Sequence, residues 1–119
     1  MSEEKLMVAR IWHGITPIAQ ADAYLQLMQT VAVPDYQSTP GNHGVFLLRK
    51  LVEDQAHFLL FTLWESREAV QKFAGEDISR AKYYPFDQEF LLELEPTVDH
   101  YDVFAPSSMQ RFMSDFFDR

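Results

Sequence analysis

The stretch from His57 to Gly75, HFLLFTLWESREAVQKFAG, decides the fold, because its apolar pattern changes at Trp64 from the period of a strand to that of a helix. Its first half is apolar on both alternating sides, which predicts a strand buried on both faces. Its second half begins at Ser66, a favourable N-cap, and ends at Gly75, a favourable residue after a helix. The stretch therefore predicts a doubly buried strand that leads into a capped helix.

The residues before this stretch predict another strand and another helix. Residues 6–13, LMVARIWH, alternate as a first strand does. Thr16 and Pro17 then suit a helix start, with the hydroxyl as cap and the proline at the first helical position. Apolar residues at spacings of three and four continue to Ala32, so this helix is predicted to lie on a core.

Residues 33–44 contain two prolines, two glycines and several small polar residues, and they predict the longest loop of the chain. Pro40 and Gly41 suit the central positions of a type II turn, and Tyr36 could anchor the loop. Residues 45–52, VFLLRKLV, predict a second strand that forms an antiparallel hairpin with the strand after it.

After Gly75, residues 76–84 predict one or two further helical turns that stop at Pro85, and residues 97–104 predict a last strand. The order β-α-β-β-α-β predicts an α+β, ferredoxin-like fold, in which helices cover one face of a four-stranded antiparallel sheet. Because the strands are apolar on both sides, we expect the sheet of a second subunit to cover the other face. A homodimer is the expected assembly.

We expect one domain over residues 1–104 and a C-terminal helical extension over residues 105–119. The extension has an apolar stripe at helical spacing, which predicts packing on its own or the partner's surface, with a lid over a pocket as the alternative.

Composition excludes several classes of function. The 119 residues carry a formal net charge of −8 and no cluster of basic residues, so nucleic acid and anionic membranes are not expected partners. The absence of cysteine excludes disulfides, thiolate metal sites and a thiol nucleophile. The start of the chain is acidic and no apolar run is long enough to span a membrane, so we expect a cytoplasmic protein.

Three segments, taken in their order and spacing, are the most informative: MVARIWHGITP, TLWESREAVQKFAGEDISRAKYYPFD and TVDHYDVF. Together they resemble the antibiotic biosynthesis monooxygenase family of dimeric α/β-barrel proteins, and the resemblance covers roughly residues 5–104. The resemblance implies a homodimer whose sheets close into a barrel, with one pocket per subunit between sheet and helices. It also implies, in some members, oxygenation of aromatic polyketides or quinols by O2 without metal or flavin.

One branch of the family degrades heme, and this chain departs from its motif at three positions. That motif needs an Asn on the first strand, a Trp inside the helix and a heme-ligating His. Here the corresponding residues are Ile11 or His13, Phe73 and Tyr83. These departures make heme degradation the third hypothesis.

Three residues are candidates for the chemistry. His13, at the end of the first strand, is the candidate base, because imidazole titrates near neutral pH; the alternative is a strand-end His bonded to solvent or a loop carbonyl. Trp64, which matches the Trp of the family's W-x-S turn, could stack on an aromatic substrate, or it could simply close the core. Tyr83 could hold a phenolate, although packing at a helix end is its alternative role.

The remaining expectations concern the pocket walls and charged groups. We expect the substrate to contact Ile11, Tyr36, Phe73 and Tyr84. Each Arg that interrupts an apolar strand is expected to form a structural salt bridge with an acid. No histidine spacing fits a metal site, so no metal is expected. The resemblance implies oxygenation without a flavin, and no other cofactor is expected. The two arginines that interrupt apolar strands are Arg10 and Arg49.

The sequence therefore leaves two hypotheses about function. The first is a cofactor-independent monooxygenase that acts with O2 on an aromatic or quinol-like small molecule. The second is a non-catalytic dimer that binds a small hydrophobic molecule.

Overall fold

A computed structural model describes residues 5–104, which form one antiparallel sheet with helices over one face. The spatial order of the strands is β2-β3-β1-β4, which is the ferredoxin-like order, so the predicted fold class is confirmed. The strands are β1 (Lys5–Pro17), β2 (Asn42–Val52), β3 (Gln55–Trp64) and β4 (Asp99–Phe104). The helices are α1 (Ala21–Leu27), α2 (Val33–Ser38), α3 (Arg67–Ala74) and α4 (Asp87–Phe90).

The two sides of the sheet follow from the pairing of β1 with β3. Trp12 pairs with Leu60, and both lie on the side that packs under the helices, which we call the helix face. His13 pairs with Leu59, and both lie on the opposite side, which we call the far face. Because side chains alternate along a strand, neighbours in the sequence belong to different faces.

The junction of β3 and α3 has the predicted form. The Ser66 hydroxyl accepts a hydrogen bond from the Ala69 backbone N–H at 3.1 Å, as an N-cap does. Gly75 follows the last helical residue with a φ of 95°, a conformation that costs a glycine little. The helix lays Val70 and Phe73 on the helix face, where both are buried.

The predicted helix start at Thr16 and Pro17 is wrong. Both residues belong to β1, where Thr16 pairs with Ala56 and is wholly buried. The Thr16 hydroxyl donates to the Pro17 carbonyl at 3.1 Å and caps no helix. Helical structure begins at Ile18 with a 3-10 turn, Ile18–Gln20, and a π-helical turn, Met28–Ala32, joins α1 to α2.

The predicted loop over residues 33–44 is wrong at both ends, because α2 occupies Val33–Ser38 and β2 already begins at Asn42. Pro34 stands in the first turn of α2, where its missing N–H costs little. Tyr36 is buried, as expected of an anchor. The predicted turn is confirmed by the Asn42 N–H, which donates to the Thr39 carbonyl at 3.1 Å, and by the positive φ of Gly41.

The predicted helical turns over residues 76–84 are absent. Backbone groups there bond to a distant segment: Val98 donates to the Ser79 carbonyl at 2.9 Å, and Ala81 donates to the Pro96 carbonyl at 3.0 Å. A single hydrogen-bonded turn forms at residues 77–80, where the Arg80 N–H donates to the Asp77 carbonyl at 3.2 Å, and no helix follows it. Tyr83 therefore lies in an irregular segment. The short helix α4 forms only after Pro85.

The last strand, β4, begins at Asp99, two residues after the predicted start. The predicted C-terminal helix lies outside the described residues, and so does the boundary at residue 105. No helix within residues 5–104 combines the length and apolarity needed to cross a bilayer.

Candidate functional site

Arg10 lies at the centre of the helix face and is wholly buried. Its Nη2 donates to the Arg80 carbonyl at 3.0 Å, and its guanidinium carbon lies 5.6 Å from the ring centre of Phe73. Within residues 5–104, its Nε and Nη1 atoms have no hydrogen-bond partner. The salt bridge expected for Arg10 is therefore wrong for the described part of the chain, whereas Arg49 does pair with Asp22 at 2.8 Å.

Burial disfavours the charged form of the Arg10 guanidinium, because it removes the charge from water. Burial lowers the pKa of Arg10, and the phenol groups of Tyr36 and Tyr84 partly offset this effect. A guanidinium nevertheless stays charged in proteins. The Tyr36 hydroxyl lies close to the guanidinium and contributes to this offset, although neither Nε nor Nη1 forms a well-aligned hydrogen bond with a described residue. The helix face thus contains a buried cation with two incompletely satisfied donor groups.

Two further polar groups without partners lie beside Arg10 on the same face. His100 is the cross-strand neighbour of Arg10 in the pairing of β1 with β4, and Trp12 is two residues along β1. Among the described residues, neither the His100 Nε2 nor the Trp12 indole N–H has a partner. Burial, and then the charges of Arg10 and Arg67, lower the pKa of His100 to about 4, so its imidazole is neutral at pH 7.

Aromatic side chains form the walls around these polar groups. The rings of Tyr36 and Phe73 stack with centroids 4.1 Å apart, and the Trp64 ring lies 5.7 Å from that of Phe73. The Tyr83 ring meets Trp12 edge-on at 6.1 Å. Five of the seven predicted site residues are therefore on the helix face of the sheet, namely Tyr36, Trp64, Phe73, Tyr83 and Tyr84.

The polar tips of several of these aromatic residues are already bonded within the protein. The Trp64 indole N–H donates to the Thr62 hydroxyl at 2.8 Å, and the Tyr84 hydroxyl donates to Asp35 at 2.7 Å. The Tyr83 hydroxyl donates to the Glu95 carbonyl. Burial raises the pKa of Tyr83 to about 12, so its phenol is neutral at pH 7.

The other two predicted residues, His13 and Ile11, lie on the far face. His13 Nδ1 is 2.8 Å from a carboxylate oxygen of Glu95, and its Nε2 is 3.1 Å from Nδ1 of His57. The two imidazole rings stack with centroids 5.3 Å apart. The sheet therefore separates His13 from Trp64, and the three predicted catalytic residues do not meet at one point.

A hollow of about 270 Å³ adjoins the two histidines on the far face. Its lining includes Leu48, Lys50 and Leu59. Among residues 5–104, no group of three His, Asp or Glu side chains has the arrangement of a metal site.

Sequence reasoning misses five residues of these two clusters. Arg10 has a visible signal, since a charged residue interrupts an apolar strand, but a salt bridge explains that signal equally well. Trp12 has no signal that separates it from the other apolar residues of β1. His100 is recognisable only once β4 is paired with β1. Glu95 and His57 had no local signal, because 82 residues separate Glu95 from His13.

Residues 15–81 match the family model described as antibiotic biosynthesis monooxygenase. The chain belongs to the antibiotic biosynthesis monooxygenase family. The matched residues run from the end of β1 through the segment that carries Arg80, so they include α3 and most of the aromatic walls.

Solved structures agree on the fold. A protein of unknown function from Nitrosomonas europaea is similar with a TM-score of 0.65 and 16% identity, over 87% of this chain and 95% of that one. An antibiotic biosynthesis monooxygenase of the same organism gives 0.63 and 14%, over 86% and 94%. A heme-degrading protein from Mycobacterium tuberculosis gives 0.53 and 22%, over 86% and 96%. Among curated proteins, no relative matches this sequence.

Proposed function

We propose that this protein is a cofactor-independent monooxygenase that oxidises an electron-rich aromatic or quinol-like small molecule with O2, in a pocket between the sheet and the helices. Membership of the family supports the reaction class. The observation that carries the proposal is the buried guanidinium of Arg10, which keeps two N–H groups without partners beside aromatic walls. Each buried polar group left without a hydrogen bond costs about 1–3 kcal/mol, so such a group calls for an explanation, of which a catalytic role or a bound water or ion is the usual kind.

The proposed role of Arg10 is to bind the oxygen anion of the substrate. A phenolate or enolate oxygen would accept a hydrogen bond from Nε or from Nη1, which lie on different edges of the guanidinium, and would neutralise the buried charge. Donors that are fixed in a dry site stabilise a developing oxyanion strongly, because they need no reorganisation during the reaction. The Trp12 indole N–H, which is also without a described partner, would be a further donor.

His100 is the proposed base for a substrate on this face, because His13 lies behind the sheet. Its Nε2 has no described partner, and its imidazole is neutral at pH 7. An anion bound between His100 and Arg10 favours the charged imidazole, so proton uptake by Nε2 accompanies formation of the phenolate. Trp64, Tyr36, Phe73 and Tyr84 then act as walls rather than as acids or bases.

The reaction needs no external reductant. Loss of a proton from an activated CH2 group of an anthrone-like substrate gives a carbanion, which passes an electron to O2. Recombination forms a carbon hydroperoxide, and loss of water from it leaves a carbonyl. One CH2 group and one O2 thus become one C=O and one water, with the substrate oxidised and oxygen reduced.

Oxygen consumption tests the proposal, with anthrone, naphthol and hydroquinone as substrates. Arg10→Met should lower kcat/KM by about 100-fold or more, as loss of an oxyanion donor does elsewhere. Its melting temperature should stay the same or rise, because a buried charge without a partner is replaced by an apolar side chain of similar size. Arg49→Met, which removes the other strand arginine, is the matched control and should keep full activity.

An Arg10→Met enzyme as active as wild type would overturn the role of Arg10.

The second candidate function is binding without turnover, and it is favoured by the bonds that already occupy the polar tips of Trp64 and Tyr84. Naphthol binding that depends on Arg10, with no O2 consumption by wild type, would select that function. Titration with hemin should give no Soret band, and a band lost in Tyr83→Phe would support heme binding instead.

The proposal includes a homodimer in which two far faces pack against each other. Large apolar side chains are exposed there, including Leu48 at 46% and Tyr101 at 53% of their surface. Light scattering at low protein concentration should give the mass of two chains. A well-folded monomer would overturn the dimer and would leave the proposed role of Arg10 to be tested separately.

A further inference from the structure

The Arg10 pocket is closed to solvent, although a substrate must reach it. The side chains of Arg10 and Trp64 are wholly buried, and Tyr36 is 1% exposed. The sheet closes the pocket from below, because Arg10 pairs with Thr62 of β3 on one side and with His100 of β4 on the other. A ligand therefore enters only if part of the cover on the helix face moves.

The cover of the pocket includes residues 80–84, which we call the strap. The Arg80 carbonyl accepts the hydrogen bond from Arg10 Nη2 at 3.0 Å, so the strap lies directly over the guanidinium. One side of the strap is held by backbone bonds to the segment that precedes β4, where the Ala81 N–H donates to the Pro96 carbonyl at 3.0 Å. Within residues 5–104, no backbone hydrogen bond joins the strap to α2 or α3.

Side-chain bonds hold the strap to α2 and α3, and one carboxylate oxygen accepts two of them. Oδ2 of Asp35, in α2, accepts from the Tyr84 hydroxyl at 2.7 Å and from Lys82 Nζ at 3.3 Å. Lys82 also donates to the Phe73 carbonyl of α3 at 3.1 Å. The Lys82 and Asp35 side chains are 35% and 40% exposed, and ion pairs with this exposure are weak because water screens them. We call the bonds of Lys82 and Tyr84 to Asp35 the latch.

A groove of about 540 Å³ lies on the outer side of the strap. It is lined by two acidic side chains, two basic side chains and two alanines: Ala74, Glu76, Asp77, Arg80, Ala81 and Lys82. Lys82 Nζ lies 4.1 Å from the ring centre of Phe73, and the guanidinium carbon of Arg10 lies 5.6 Å from the same ring centre. The Phe73 ring therefore connects the groove to the buried guanidinium.

We infer that the strap is a gate for the Arg10 pocket, an inference that rests on the proposed function of that pocket. The latch at Asp35 opens, and the strap moves away from α2 while it keeps its backbone bonds to the segment before β4. The substrate then passes from the groove, beside Phe73, to Arg10. The latch closes again over the bound substrate and excludes water during the reaction.

Acrylamide quenching of tryptophan fluorescence tests the gate without a ligand, because both tryptophans of the chain, Trp12 and Trp64, are buried on the helix face. Asp35→Ala should raise the quenching constant by up to about 10-fold, since loss of a charged hydrogen bond and an exposed ion pair increases the open population by about that factor. Asp22→Ala removes the carboxylate that pairs with Arg49 and is the matched control. It should keep the quenching constant of wild type.

Stopped-flow binding of naphthol measures entry and exit through the gate. Asp35→Ala should raise the association and dissociation rate constants by about 10-fold each and change Kd by less than about 3-fold, because the latch is closed both before and after binding. Lys82→Met removes the other half of the ion pair and should raise both rate constants as well. This second variant also decides the question if Asp35→Ala folds poorly.

Quenching and association rates in Asp35→Ala and Lys82→Met that equal those of Asp22→Ala would overturn the gate. A higher Kd at an unchanged association rate would assign Asp35 a merely structural role and would overturn the gate as well. If naphthol does not bind to wild type, the proposed function of the Arg10 pocket fails, and acrylamide quenching still decides whether the strap opens. The two proposals can therefore fail separately, since one depends on Arg10 and the other on the latch.

Discussion

Replacing His100 with Gln tests the electrostatics of the helix face in one measurement. Burial, followed by the charges of Arg10 and Arg67, lowers the pKa of His100 from 6.5 to about 4. The folded state therefore resists a proton that the unfolded chain accepts. Wild-type stability should be highest above pH 6.5 and should fall as the pH drops from about 6.5 to about 4, because the unfolded state binds more protons in that window.

The size of the effect follows from the shift. One pKa unit corresponds to about 1.36 kcal/mol, so a shift of about 2.5 units gives an upper value of about 3 kcal/mol. Solvent screening at this partly buried side chain reduces the value, and we expect about 2 kcal/mol at pH 4.5. His100→Gln lacks this group, so its stability should lose about 2 kcal/mol less than wild type between pH 7 and pH 4.5.

Urea unfolding followed by the fluorescence of the two tryptophans, at both pH values, measures this difference. NMR titration of the His100 ring gives the pKa directly, with the Gln variant to assign the signal. Addition of naphthol should raise that pKa, because an anion bound at Arg10 favours the imidazolium. A stability difference that is the same at both pH values, together with an ordinary His100 titration, would refute this description of the site.

Two further predictions concern the segments around the central junction. Ser66→Ala should lower the free energy of unfolding by about 1 kcal/mol, since it removes the N-cap of α3; an unchanged urea midpoint would contradict the cap. Gly41→Ala should destabilise by about 1–3 kcal/mol, because φ is +94° and a new Cβ would lie 2.4 Å from a side chain of α3. Gly75→Ala has a similar φ but open space, so its melting temperature should fall less than that of Gly41→Ala.

Local rules predicted the parts of the fold that depend on short spacings. The two apolar sides of β3, the cap at Ser66 and the glycine after α3 are all determined within one stretch of sequence. Two local predictions failed for nonlocal reasons. Residues 33–38 form a helix that buries Tyr36, with Pro34 in its first turn, and residues 76–84 form one turn but no helix because their backbone bonds to residues 96–98.

The candidate sites likewise contain some features that short spacings predict and others that depend on nonlocal contacts. The aromatic walls were predicted because the family resemblance and the apolar pattern both point to them. Whether His13 and Trp64 share a face depends on which residue of β1 pairs with which residue of β3, and the sequence alone does not give that register. Two further features also depend on the complete fold. No described acid pairs with Arg10, and Glu95 contacts His13 although 82 residues separate them.

A crystal structure with anthraquinone, the oxidation product of anthrone, would show whether Arg10 binds the oxygen of the ligand. We expect a ring plane between Trp64 and Tyr84, with a carbonyl oxygen about 3 Å from Nε or Nη1 of Arg10. Ordered water on both Arg10 groups, with the ligand elsewhere or unbound, would contradict it.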